Sequence, residues 1–156
     1  MQIRPCRMDD ASALAQIFLR AVRELGPRHY SPAQVEAWAA DAPDVDDMRA
    51  RLTDGRIMLA AVGADDRPVA FADLETDGHI DLLFALPEAA GTGAAGQLLE
   101  AIEPYARNAG MQRLYVEASE AAQGLFARNS FALIARRDFE KNGVWIHNYH
   151  MEKHLT

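Results

Sequence analysis

The stretch Leu86–Leu99, LPEAAGTGAAGQLL, limits the possible folds more than any other part of the chain. The apolar run His79–Leu86 (HIDLLFAL) leads into it and reads as a strand. A helix over Ala94–Asn108 leads out, with Leu98, Leu99, Ile102, Tyr105 and Ala106 on one face, and Arg113–Ala118 (RLYVEA) reads as a further strand. Strands joined by such a crossover lie parallel. Where a strand hands over to a helix, the first backbone N–H groups lack partners and, with the positive end of the helix dipole, attract anions. Small residues at Gly91, Gly93, Ala95 and Gly96 let a ligand come close to that backbone. The competing reading is a plain connector that uses glycine only for its turn. No Gly-Lys-Ser/Thr follows, so this is not a Walker loop. The letters fit GxGxxG, but that fingerprint belongs after the first strand of a βαβ unit, and here a meander precedes it.

The rest of the chain supplies elements that can pack against this unit. Gln2–Cys6 reads as a first strand. The Asp9-Asp10 pair caps a helix carrying Leu14, Ile17, Phe18, Ala21, Val22 and Leu25, which Gly26-Pro27 stops. Ser31, Pro32 and Gln34 write the start of a second helix, with a short third over Val45–Leu52. Arg56–Val62, Pro68–Glu75 and His79–Leu86 are expected to form an antiparallel meander. Ser119 caps a short helix reaching Asn129. Asn142-Gly143 then joins the strands Ala132–Glu140 and Val144–Glu152 as a hairpin. The expected fold is α/β (α+β), a mixed sheet of about seven strands flanked by helices, over residues 1–156 as one domain.

Composition removes several function classes. A net charge of −7 lacks the basic footprint of a nucleic-acid surface and disfavours an anionic membrane. No apolar run is long enough to span a bilayer, and MQIRPCRMDD lacks the apolar core of a signal peptide. One cysteine, Cys6, excludes an internal disulfide and a cysteine-rich zinc site, so a cytoplasmic setting is expected.

LLFALPEAAGTGAAGQLL resembles the coenzyme A-binding segment of GNAT-superfamily N-acetyltransferases, a strand, a proline turn, Q/R-x-x-G-x-G/A and a helix with paired leucines. Aligned on those leucines, Ala90 falls at the Gln/Arg position, Gly93 at the glycine and Ala95 at the final Gly/Ala. Downstream, AAQGLFARNSF is similar to the family's A-x-x-L-Y-x-x-x-G-F, and the element order agrees over Gln2–Lys153. The resemblance implies a GNAT-like fold, splayed between the fourth and fifth strands, with acetyl-CoA as cosubstrate and no metal. The pyrophosphate would lie on Ala90, Gly91, Thr92, Gly93, Ala94, Ala95 and Gly96, and the pantetheine arm would pair with Leu83, Phe84 and Ala85. Phe126 stands where the family often has a tyrosine that protonates the leaving thiolate, and Ser130 replaces the usual glycine.

Transfer to an amine needs a group that removes its proton. Strand alternation puts His79, Asp81, Leu83 and Ala85 on one face, making His79 and Asp81 the leading bases. The ordinary titration range of histidine suits that task. Against this stand a solvated strand-start histidine and a structural carboxylate. Glu117, in an otherwise apolar strand, is a third candidate, or an exposed alternate position. Tyr149 is the replacement acid or else a core tyrosine. In the family the acceptor site usually lies near the first two helices and last hairpin, so His29, Tyr30 and Trp38 are candidate walls, with Trp38 also fitting a core position. The implied reaction is acetyl transfer to a primary amine, a small molecule or a peptide, by direct attack in a ternary complex. A homodimer is compatible with it. The alternatives are a non-catalytic acyl-CoA-binding or regulatory module and a generic nucleotide-phosphate binder. His147, His150 and His154 form no ligand set that specifies a metal.

Overall fold

Along residues 1–156, all described by the computed structural model, run β1 (Gln2–Pro5), α1 (Ala11–Arg20), α2 (Pro32–Ala39), α3 (Val45–Leu52), β2 (Ile57–Val62), β3 (Pro68–Leu74), β4 (His79–Ile80), β5 (Leu83–Ala85), α4 (Ala94–Asn108), β6 (Arg113–Ala118), α5 (Gln123–Arg128), β7 (Ala132–Lys141) and β8 (Val144–His154). Short-range signals account for most boundaries. Ser31 Oγ accepts from Gln34 N–H while the Gln34 side chain takes the Ser31 N–H. Asp44 and Asp47 make the same reciprocal box at α3. At the Asn142-Gly143 turn, φ values of +50° and +78° match the left-handed pair that a two-residue hairpin needs. The first helix differs from expectation: after Arg20 it widens into a π turn over Ala21–Leu25. On α4, Leu98, Leu99, Ile102 and Ala106 are buried, whereas Tyr105 lies at the exposed edge.

The strands form two four-stranded sheets, ordered β1-β2-β3-β5 and β4-β6-β8-β7. The single strand expected over His79–Leu86 is thus divided. Its first half pairs parallel to β6, as the crossover requires, and its second half pairs antiparallel to β3. One core lies between the sheets and α4 with α5, and includes Leu59, Ile80, Leu98, Ile102, Leu114 and Phe126. The other lies under α1–α3 and includes Leu14, Ile17, Met48, Phe71, Leu82 and Ile146. Ile80 belongs to the first and Leu82 to the second, so simple alternation does not survive the break. Leu83 packs toward the α4 core, whereas His79 stacks on Tyr115 at 4.7 Å.

Asp73, fully buried on β3, holds this break. Its Oδ1 accepts the N–H groups of Asp81 and Leu82, both at 2.8 Å. Its Oδ2 accepts from Arg56 at 2.8 Å and from Arg51 at 3.3 Å. Burial, with a smaller push from the Asp81 carboxylate, raises the Asp73 carboxyl above its ordinary range, and the Leu82 N–H and the Arg56 guanidinium oppose that rise. One carboxylate oxygen thereby absorbs two donors that no strand accepts, and the chain passes from one sheet to the other without unpaired buried N–H groups.

Two outcomes follow for stability. Asp73→Ala strands those donors and costs about 3–5 kcal/mol in urea unfolding, whereas Asp73→Asn, which keeps an acceptor oxygen, costs less. Ser130 sits at φ +72°, in the left-handed region, so Ser130→Gly raises stability by about 1 kcal/mol in the same measurement.

Candidate active site

Beyond Ile80 and Tyr115–Val116 the two sheets part, and a cavity of about 420 Å³ opens between β5 and the end of β6. Flanking bonds show which backbone groups of β5 face it. Asp73 N–H donates to Leu82 O and Leu86 N–H to Val69 O. Alternation then directs Phe84 to β3 and leaves the N–H and C=O groups of Leu83 and Ala85 at the open edge. Phe84 instead contributes its ring to an aromatic wall, 4.4 Å from Phe18 and 6.0 Å from Trp38. Tyr30 is buried in the same wall and 5.6 Å from Trp38. Its hydroxyl accepts the Glu120 N–H at 2.8 Å and donates to His147 O at 3.3 Å, tying the start of α2 to the last hairpin. His29 points to the surface and is no part of the wall.

At the head of α4, Gly91 and Gly93 adopt φ of +79° and +90°. The N–H groups of Gly91, Gly93, Ala94, Ala95 and Gly96 donate to no group of the protein, while Thr92 is held by Ala89 O. A Cβ at Gly91 or Gly96 would meet nothing within 4 Å, so internal packing does not explain why these positions are small. Ala90 is extended and exposed at the loop entrance. Such a cluster of outward donors at a fifteen-residue helix is suited to a phosphate or pyrophosphate.

The ionisable groups of the cavity are largely paired with one another. His79 donates from Nε2 to Glu117 at 2.5 Å and from Nδ1 to Glu75 at 2.6 Å. The Glu117 and Glu75 carboxylates push His79 up to about 9, against the smaller opposing effect of burial. At neutral pH it is a cation with both nitrogens protonated, and in that state it cannot accept a proton. Glu117 is held below the ordinary carboxylate range, first by His79. Asp81 pairs with Arg51 at 2.7 Å, and Lys141 with Asp41 at 2.8 Å. Glu75, His79 and Asp81 could bring ligand atoms within 4.8 Å of one another, but the histidine and Asp81 are engaged in these ion pairs. Tyr149 lies outside the cavity lining, beside Glu120 and Arg136, with its phenol raised by the Glu120 carboxylate. Phe126 does line it, packed edge-on to Phe131 at 5.0 Å. Burial pushes the Cys6 thiol up to about 12, which leaves no thiolate for an acyl-enzyme.

Sequence reasoning missed Asp73, Glu75, Arg51, Ser119, Arg137 and Asn148. Only Glu75 carried a local signal, four residues before His79. Ser119 lies two residues beyond Glu117 but reads only as a helix cap, and Asp73, Arg51, Arg137 and Asn148 reach the site through pairings that are far apart in sequence.

Comparisons with known proteins agree with this geometry. The family profile described as an acetyltransferase (GNAT) domain matches residues 27–153. An uncharacterized N-acetyltransferase, YafP of Escherichia coli K12, is 33% identical over 153 residues, 97% of this chain and 94% of that one. Among solved structures, a GCN5-related N-acetyltransferase from Rhodopseudomonas palustris is 35% identical with a TM-score of 0.90, covering 99% of this chain and 95% of its own. YncA of Salmonella typhimurium, a putative acetyltransferase solved with acetyl-CoA, shares the fold at a TM-score of 0.80 and 19% identity, covering 100% and 94%. No helix is long and apolar enough to cross a membrane. With a strand opened at its middle, a donor-lined helix start and a cavity between them, the chain belongs to the GNAT family of N-acetyltransferases.

Proposed function

We propose that the protein transfers the acetyl group of acetyl-CoA to a primary amine by direct attack in a ternary complex. The observation that carries this reading is the continuity of two unpaired backbone surfaces. The donors of Gly91–Gly96 lead to the open edge of β5, and that edge leads into the cavity. The loop binds the pyrophosphate through main-chain N–H groups, which makes the Gln/Arg absent at Ala90 dispensable. Leu83 and Ala85 pair with the pantetheine arm as a further strand would. Acetyl-CoA supplies an activated acyl group, and its use fits a cytoplasmic protein.

In the cavity, Glu117 is the group that takes the amine proton. Its Oε2 is held by His79, and its Oε1 is free of a hydrogen bond. His79 keeps the carboxylate ionised and oriented, and Glu75, half-exposed, closes the chain toward solvent. The amine nitrogen bonds to the acyl carbon, the Ala85 N–H steadies the developing oxyanion, and the carbon–sulfur bond breaks. Phe126 has no proton for the leaving thiolate. The Ser119 hydroxyl, whose oxygen accepts the Ala122 N–H at 3.2 Å, lines the cavity with its own proton available. The same phenylalanine is the one observation that favours a second reading, a CoA-binding module without turnover. Thiol release above the hydrolysis background with any amine rules that out.

Two measurements test the assignment. Gly96→Glu places a carboxylate in the loop without a clash and improves helix propensity. It weakens CoA binding more than tenfold by calorimetry while the melting temperature holds or rises. Glu117→Gln lowers kcat by about 100-fold or more with CoA affinity unchanged. In the same variant the His79 imidazole, followed by NMR, titrates well below its wild-type value of about 9. Because folding raises His79 above its ordinary 6.5, the stability it adds is complete below pH 6.5 and lost as pH rises through 9.

A further inference from the structure

The cavity lining holds one cation without a hydrogen-bonded partner. Arg51, Lys141 and His79 are each matched to carboxylates. Arg137 makes no side-chain hydrogen bond, and the carboxylate nearest to it is Glu117, at 3.8 Å. Its guanidinium lies 5.6 Å from the centre of the Phe139 ring, which faces the same cavity. Directly across the hairpin, in register with Arg137, stands Asn148. The Oδ1 of Asn148 is the one buried side-chain polar atom of the protein without a partner. A buried amide oxygen in that state is costly until a donor reaches it. Asn148 is also one diagonal step from Glu117, since Glu117 pairs with His150.

Donors on the half-exposed Arg137, ion-paired to Glu117 at 3.8 Å but not hydrogen-bonded, and an unpartnered acceptor on Asn148 therefore flank Glu117. A ligand that satisfies all three carries an anionic group next to N–H donors. The short Arg137–Glu117 distance requires its two charges to be neighbours within the molecule. The adjoining wall of Phe139, Trp38 and Phe84 is apolar and aromatic. We infer that the acceptor is a free α-amino acid with an apolar or aromatic side chain, its carboxylate on Arg137 and its amino group between Glu117 and Asn148. This rests on the amine-acetylation reading above and narrows its substrate class. In the transfer the amino nitrogen bonds to the acetyl carbon and gives one proton to Glu117, the carbon–sulfur bond breaks, and the departing CoA thiolate takes up a proton from solvent to become the thiol. A planar carboxylate matches the guanidinium fork, so a lysine substitution at this position is not equivalent.

The experiment compares phenylalanine, leucine and methionine with their carboxamides, which keep the amine and side chain but lose the negative charge. Binding to CoA-loaded protein is read by calorimetry, and turnover with acetyl-CoA is read by thiol release. The expected result is at least a tenfold preference, in Kd and in kcat/KM, for a free amino acid over its amide. Arg137→Gln is expected to collapse that preference at least tenfold, chiefly through KM, with the circular-dichroism spectrum and CoA affinity serving as checks of the fold. Equal handling of acid and amide, or a preference that Arg137→Gln leaves intact, overturns the inference while amine acetylation stands. Amino-acid binding that depends on Arg137, with no acetyl transfer to any amine, supports the site and overturns the transfer reading instead.

Discussion

The Asp73 carboxylate is the interaction on which the open architecture rests. A strand that leaves one sheet for another must turn two N–H groups away from both, and inside a protein those groups need an acceptor. Asp73 Oδ1 accepts both, and the same residue's Oδ2 anchors Arg56 and Arg51. Arg51 in turn holds Asp81. The break in the sheet and the charge pairing at the cavity mouth are therefore one network. The hydrophobic cores on either side then follow from it, because the slip at Asp81–Leu82 sends Leu82 and Phe84 under the first helices and Leu83 toward α4.

Charge inside the cavity is organised in pairs. His79 between Glu75 and Glu117 is held as a cation over the neutral range, so both of its ring nitrogens donate to carboxylates. Had His79 been solvated, its ordinary titration would have made it a plausible base; the two neighbours reverse that role. Tyr30 couples this chemistry to the scaffold through one hydroxyl that touches the β6–α5 connection and β8 at once.

What could be read from the chain divides by range. The capping box at Ser31, the Asn142-Gly143 turn, the extent of α4 and the crossover to β6 depend on neighbours a few residues away, and all are legible. The left-handed glycines and unpaired N–H groups of Gly91–Gly96 are legible for the same reason. The division of His79–Leu86 is not. It depends on Asp73 beneath it, and a carboxylate eight residues away leaves no trace in hydrophobic periodicity. Arg137 and Asn148 become neighbours only through hairpin register, so neither stands out in sequence. The alternation argument that grouped His79 with Leu83 fails at the residue where Asp73 interrupts it.

The open edge of β5 has a cost that does not concern catalysis. Leu83 and Ala85 present backbone groups much as the rim strand of an unfinished sheet does, and such rims template pairing between chains. Here the rim is three residues long, recessed in a cleft and flanked by helices, which keeps another chain from reaching it. Short length and recess, rather than a partner strand, are therefore what hold this rim apart from other chains.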